Sequence, residues 1–290
     1  MMARKAWQWL PLLAMIFLAA CQPQAALTAT LTATVSPLAT ATPTAIPPTL
    51  TVTPSLVPSP IPTLFPLPTS DAPVIPCDER HPADDDWLAV VTAAFGLAPD
   101  YVPGDLVRLD GYMSGYVAEP DMLLRREAAE ALGKMVSAMK AEGLAPTVLS
   151  SYRSYFEQAV ARHKWEVEDP ANASQVSALP GHSEHQLGAV VDFGSPELPG
   201  LTGDPAMRFS PLFAQTSEGL WLAAHAHEYG FTLTNPPEAQ PWTGLTYEPW
   251  HYRYVGVDLA TYLHVSGYFL TEYLFQVRPG LPCLPALNVP

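Results

Sequence analysis

The stretch Pro180-Gly181-His182-Ser183-Glu184-His185-Gln186-Leu187-Gly188-Ala189-Val190-Val191-Asp192 and the later Tyr247-Glu248-Pro249-Trp250-His251 form the richest cluster of reactive side chains in the sequence. His185, Asp192 and His251 offer two imidazole nitrogens and a carboxylate oxygen. Zinc takes these donor types in catalytic sites that keep a fourth position for water. Spacing alone is weak evidence, because a His and an Asp seven positions apart arise by chance and ordinarily serve as solvated or structural residues. The neighbours add weight: Gly188 permits close backbone approach, and Ala189-Val190-Val191 can carry Asp192 out of a buried strand. Three N/O donors with an adjacent Glu suit an open site better than a closed structural one.

The other histidines are weaker candidates. His225 and His227 stand two apart on an expected helix, so their side chains diverge and cannot share a metal as an i, i+4 pair would. His163 is expected in solvent. His182 is either a partner of a ligand or local variation.

These residues need a frame. Asp84-Asp85-Asp86 before Trp87-Leu88-Ala89-Val90-Val91 predict a short helix, with acids where the helix dipole favours them. A longer helix is expected over 122–142, with Ala128, Leu132, Met135 and Met139 as its apolar stripe and Gly143 as its C-terminal cap. Pro146 to Ser150 reads as a strand, followed by a helix over 154–166. Ala189 to Phe193 is a second strand, Ser217 to Tyr229 a helix stopped by Gly230, and Trp250 to Val255 a third strand. Mixed helical segments follow to about residue 276. Strands and helices in this uneven order predict an α+β fold, a single compact domain whose small, mostly antiparallel sheet carries the site and is flanked by helices.

The chain divides into three parts. In residues 1–21, Arg4 and Lys5 precede an apolar run from Trp7 to Ala20, the pattern of a secretory signal peptide and shorter than the roughly twenty residues that span a bilayer. Its end, Leu18-Ala19-Ala20-Cys21, resembles the lipobox of bacterial lipoproteins, which implies a lipid anchor on Cys21. Residues 22–76 contain no Lys or Arg and one acid, Asp71. This Thr/Pro-rich composition builds no apolar face and reads as a disordered tether. Residues 77–290 are ordinary globular sequence, enough for one domain with a substantial core. With Cys21 lipidated, Cys77 and Cys283 remain in an oxidising compartment, where a disulfide is expected between them. Closing so long a loop is worth at most about 5 kcal/mol. The net charge of -14 argues against a nucleic-acid partner, which needs clustered cations.

Ser183-x-His185-x-x-Gly188-x-x-x-Asp192 with Glu248-x-Trp250-His251 resembles the VanY-type D-alanyl-D-alanine carboxypeptidases, zinc peptidases of the bacterial cell wall. Ser151-Tyr152-Arg153-Ser154 with Gln158, the helix start Leu124-Arg125-Arg126-Glu127-Ala128-Ala129, and His225 to Phe231 also look familial. The likeness covers roughly residues 101–256. It implies that His185, Asp192 and His251 ligate Zn2+ and that Glu248 is the base, taking a proton from the attacking water and handing it to the leaving amine. It further implies that Arg153 stabilises the oxyanion and that Gln158 and Ser183 hold the substrate's terminal groups. Trp250 is expected to pack against the His251 ligand. Where many members carry Arg-Tyr-Pro, this chain reads Thr234-Asn235-Pro236. A positive charge is missing there, which leaves the metal site untouched and removes the basis for carrying over a detailed peptide preference.

The expected activity is hydrolysis of a bond in peptidoglycan stem peptides, removal of a terminal D-alanine first. A D-Ala-D-Ala dipeptidase or an endopeptidase would use the same metal set. A non-catalytic wall-binding module would be expected to have lost Glu248 or a ligand. The expected setting is the outer face of the bacterial membrane, facing the wall, as a monomer.

Overall fold

In the computed structural model, the residues described are 75–76, 81–83, 86–277 and 283–284. Cys21, Cys77 and residues 22–74 of the expected tether lie outside them. Ile75–Pro76 (β1), expected as the last residues of the tether, pair in parallel with the last strand, Cys283–Leu284.

After β1 come Leu106–Arg108 (β2) and Leu123–Arg125 (β3), an antiparallel pair, and then the helix Arg126–Ala141 (α1). The expectation of a helix from residue 122 is corrected here. Leu123 to Arg125 hydrogen-bond to β2 before the helix starts, and Arg125 is buried, its Nε donating to Asp105 at 2.8 Å and its guanidinium lying 3.9 Å from the Trp87 ring. The rest of that expectation stands: Ala128, Leu132, Met135 and Met139 are fully buried, and Gly143 takes the left-handed turn with φ 84°.

The chain continues through Thr147–Ser150 (β4), Tyr155–Glu168 (α2), Ala173–Val176 (α3), Val190–Gly194 (β5), Leu198–Thr202 (α4), Ser217–His225 (α5) and Phe231–Leu233 (β6). It ends with Gln240–Thr243 (α6), His251–Tyr254 (β7), Val257–Ser266 (α7), Leu270–Val277 (α8) and Cys283–Leu284 (β8). The central sheet has the order β4-β5-β7-β6, antiparallel throughout. Val148, Val191, Phe193, Tyr252 and Tyr254 join α1 and α5 in one apolar core. A helix-flanked antiparallel sheet in a single folded region is the α+β arrangement expected.

The short helix expected over 87–91 does not form; Trp87 and Leu88 make a turn. The carbonyls of Trp87 and Ala89 instead accept hydrogen bonds from Arg253, so a tertiary contact takes groups a helix would use internally. The expected helix over 217–229 stops as α-helix at His225 and finishes as a tighter 3-10 turn over Ala226–Tyr229 before Gly230, at φ 83°.

Candidate metal centre and active-site cleft

Sheet register places two of the three ligand candidates. Asp192 on β5 lies directly opposite His251 on β7, and residues opposed in an antiparallel pair hold their side chains within reach of each other. His185 arrives from the 3-10 turn Glu184–Leu187 just before β5. That turn closes on Gly188, whose φ of 65° and tight approach to Leu106, 2.8 Å from where a Cβ would stand, admit only glycine comfortably.

The three side chains converge. Ligand-capable atoms of His185, Asp192 and His251 all lie within 4.8 Å of one another, and all three residues are buried. His185 Nε2 is 3.2 Å from Asp192 Oδ2, and His251 Nδ1 is 3.0 Å from Asp192 Oδ1. The opposite ring nitrogens are occupied: His185 Nδ1 meets the Ser151 carbonyl at 2.6 Å, and His251 Nε2 meets Glu184 Oε2 at 3.0 Å. Each ring is thus oriented by a group behind it, as metal-binding imidazoles commonly are. Two imidazoles and a carboxylate with one nitrogen of each ring turned inward fit a zinc ion.

A turn folds Glu248 back beside this cluster, with the His251 amide donating to the Glu248 carbonyl at 3.1 Å. Its Oε2 stands 3.9 Å from His251 Nδ1. Burial pushes the Glu248 carboxyl up to about 7, against the pull of His251. The same burial opposes charge on His251, yet hydrogen bonds to Asp192 and Glu184 push it up to about 10. Asp192 is held well below the ordinary carboxylate range by His185 and His251, which outweigh its desolvation.

Arg153 precedes α2. Ser154 caps that helix in a reciprocal pair with Glu157, which fixes where Arg153 leaves the sheet. Burial lowers the guanidinium pKa, while Asp192 and Glu248 pull it the other way. Gln158, one turn into α2, is 1% exposed. Its amide nitrogen donates to Ser177 Oγ and the Ala178 carbonyl, and its Oε1 has no partner among the described residues. Arg153, Gln158, Ser183, His185, Asp192, Glu248 and His251 all line one cleft of about 500 Å³, whose walls include Trp165, Phe209 and Trp250.

Comparison with known proteins agrees with this geometry. The family model described as VanY, D-alanyl-D-alanine carboxypeptidase, matches residues 121–257. YodJ of Bacillus subtilis (strain 168) is 33% identical over 192 residues, covering 66% of this chain and 68% of its own. The chain belongs to the VanY D-alanyl-D-alanine carboxypeptidase family. Among solved structures, the LdcB LD-carboxypeptidase aligns with a TM-score of 0.56 at 32% identity, covering 66% of this chain and 86% of that one. A VanY D,D-pentapeptidase variant from a VanB-type resistance cassette, in complex with Zn(II), aligns at 0.51 and 27% identity, covering 65% and 99%.

As a VanY-family metallopeptidase, this chain carries features that its motifs did not disclose. Asn235 Nδ2 donates to Glu248 Oε2 at 2.6 Å, and the Glu248 amide donates to the Asn235 carbonyl at 3.0 Å. The Thr234-Asn235-Pro236 segment therefore reaches Glu248, a contact the sequence did not disclose. Glu184 and Arg253 were also missed. Burial works against charge on Glu184, but Arg253 and His251 hold its carboxyl down at about 2. The one available signal was alternation: Arg253 is two positions from His251 and so shares its face of β7. His182 is buried with Nδ1 2.9 Å from the Thr92 carbonyl and lines the cleft. His225 pairs with Glu228 and His227 stacks on His264 at 3.8 Å; neither lines the cleft, and His163 is exposed. Trp250 lies 5.5 Å from the Phe209 ring at the cleft wall.

Proposed function

We propose that the protein is a zinc D-alanyl-D-alanine carboxypeptidase that removes the terminal residue of peptidoglycan stem peptides. One observation carries the reading: three inward-turned ligand atoms share a cleft with the carboxyl of Glu248 and the guanidinium of Arg153. His185, Asp192 and His251 would hold the zinc, which would supply a Lewis acid for the scissile carbonyl and acidify the attacking water. Glu248, held by Asn235, accepts the water's proton and returns it to the leaving amine. Arg153 offsets negative charge developing on the carbonyl oxygen. The unpartnered Oε1 of Gln158 accepts an N–H of the substrate's terminal peptide, and the Ser183 hydroxyl donates to its terminal carboxylate. The family description and the zinc-bound VanY neighbour support the reaction and the metal.

The LdcB neighbour is described as an LD-carboxypeptidase, so the bond cut is the point to test. Mass spectrometry of defined muropeptides incubated with the enzyme should show pentapeptide stems losing one alanine while tetrapeptide stems persist. Loss of alanine from tetrapeptides alone would point to LD cleavage, and release of a dipeptide or a larger fragment to the other two activities. An absence of any cleavage would leave a binding module.

The same reading places the enzyme, as a monomer, on the outer face of the membrane, tethered through a lipid on Cys21 and closed by a Cys77–Cys283 disulfide. The sequence supports the anchor, and the pairing of Ile75–Pro76 with Cys283–Leu284 brings the chain next to Cys77 close to its partner. Peptide mapping of protein extracted from membranes without reductant should find a lipid-bearing Cys21 fragment and a Cys77–Cys283 fragment that separates on reduction. An unmodified Cys21 would remove the anchor, and two free thiols would remove the disulfide.

A further inference from the structure

Behind His251 runs a buried chain of charged groups that the proposed chemistry does not use. Glu184 takes the His251 Nε2 bond on Oε2 at 3.0 Å and the Arg253 Nη1 bond on Oε1 at 2.7 Å. Arg253 is 0% exposed, and its Nη2 donates to the carbonyls of Trp87 at 2.7 Å and Ala89 at 2.9 Å. Taking an Arg and a Glu out of water costs several kcal/mol for each ion before pairing offsets it. Here both are buried against one metal-ligand candidate. Residues 87–89 also lie outside the span 121–257 that matches the family model.

An imidazole can present either nitrogen to a metal. The carboxylate that accepts one N–H decides which lone pair is left. With Glu184 on Nε2, a ring that yields its second proton to a metal keeps its lone pair on Nδ1, the atom facing Asp192. Glu184 can serve only while its own rotamer is fixed. Arg253 fixes it by occupying the second oxygen, and the two carbonyls fix Arg253. We propose that Glu184 and Arg253 are positioning residues that hold His251 with Nδ1 toward the metal and bolt that ligand to the Trp87–Ala89 segment. The inference rests on the metal reading above and deepens it.

The test is zinc affinity of the purified full-length chain, measured by competition with a chromophoric chelator, together with the visible spectrum of the cobalt-substituted protein. E184A should bind zinc about 10–100-fold more weakly than the parent and show an altered cobalt spectrum. E184Q, which still accepts the Nε2 proton but lacks the charge, should fall between the two. Y254F removes the 2.6 Å Tyr254–Glu127 hydrogen bond on the same strand but keeps the ring that packs on Trp87, and should lower thermal stability while leaving zinc affinity as in the parent. An E184A affinity within twofold of the parent overturns the proposal, as does a Y254F loss of affinity matching that of E184A. Should E184A fail to fold, E184Q decides: weaker binding by severalfold supports the proposal, and parent-like binding overturns it. A parent chain that binds no zinc would instead sink the metal reading itself, so the two failures are distinguishable.

Discussion

Replacing Glu248 with Gln should cut turnover of a stem-peptide substrate by about 10²–10⁴-fold and leave zinc content at one ion per chain. The two halves of this expectation have separate causes. Gln has nearly the same size and keeps an oxygen that can accept the 2.6 Å bond from Asn235, so the side chain stays where it is. It cannot take a proton from the attacking water, so the chemical step loses its base. In the metal-free protein, burial pushes the Glu248 carboxyl up to about 7. Because ground-state contacts are kept, the loss should lie in kcat with little change in KM. Steady-state kinetics on a defined muropeptide and metal analysis of the same preparation check both halves. Turnover within tenfold of the parent would mean that another group is the base. Loss of zinc would mean that Glu248 is a ligand.

That His185, Asp192, His251 and Glu248 would share one site was legible, because their residue types are chemically distinctive and arrive in an ordered pattern with Arg153. Their supports were not. A Glu beside His185 reads in sequence as a solvated residue. Only the fold reveals that Glu184 is sandwiched between His251 and Arg253, whose bonds make its burial tolerable. Asn235 shows the same limit: its nearness to Glu248 depends on how the loop after β6 crosses the sheet, which no local pattern encodes. Among the elements, α1 was readable from its apolar spacing, but its first turn was not. The same Leu and Arg types that continue the helical pattern upstream of residue 126 pair with β2 instead. The segment Trp87 to Val91 failed for a stronger reason. Its acids and apolar run favour a helix locally, and bonds from Arg253, more than 160 positions later, override that preference.

That uneven support makes the two histidine ligand candidates unequal in a second predicted result. Both His251→Ala and His185→Ala should lose zinc and activity, yet His251→Ala should destabilise the metal-free protein more. His251 lies between Asp192 Oδ1 and Glu184 Oε2, each at 3.0 Å, with Glu248 at 3.9 Å. It is the cation around which three acids, one fully buried and two largely so, are arranged. Truncating it leaves those acids facing a cavity, and removing one partner of a buried pair costs about 3–5 kcal/mol. His185 has a different setting. Its Nδ1 bonds a backbone carbonyl and its Nε2 lies 3.2 Å from Asp192, but burial lowers its pKa, so it faces that one acid with less charge than His251 does, and Arg153 remains near Asp192 when it is gone. Its loss should resemble that of a buried hydrogen bond, about 1–3 kcal/mol. Urea unfolding of the two metal-free variants, with zinc content measured before chelation, gives the comparison. Equal destabilisation would mean that Asp192 and Glu184 do not depend on the His251 charge. Zinc retained by either variant would mean that the metal has a different ligand in its place. If His251→Ala is the weaker fold, this ligand is a structural keystone before any metal arrives, which explains why the chain buries Glu184 and Arg253 behind it.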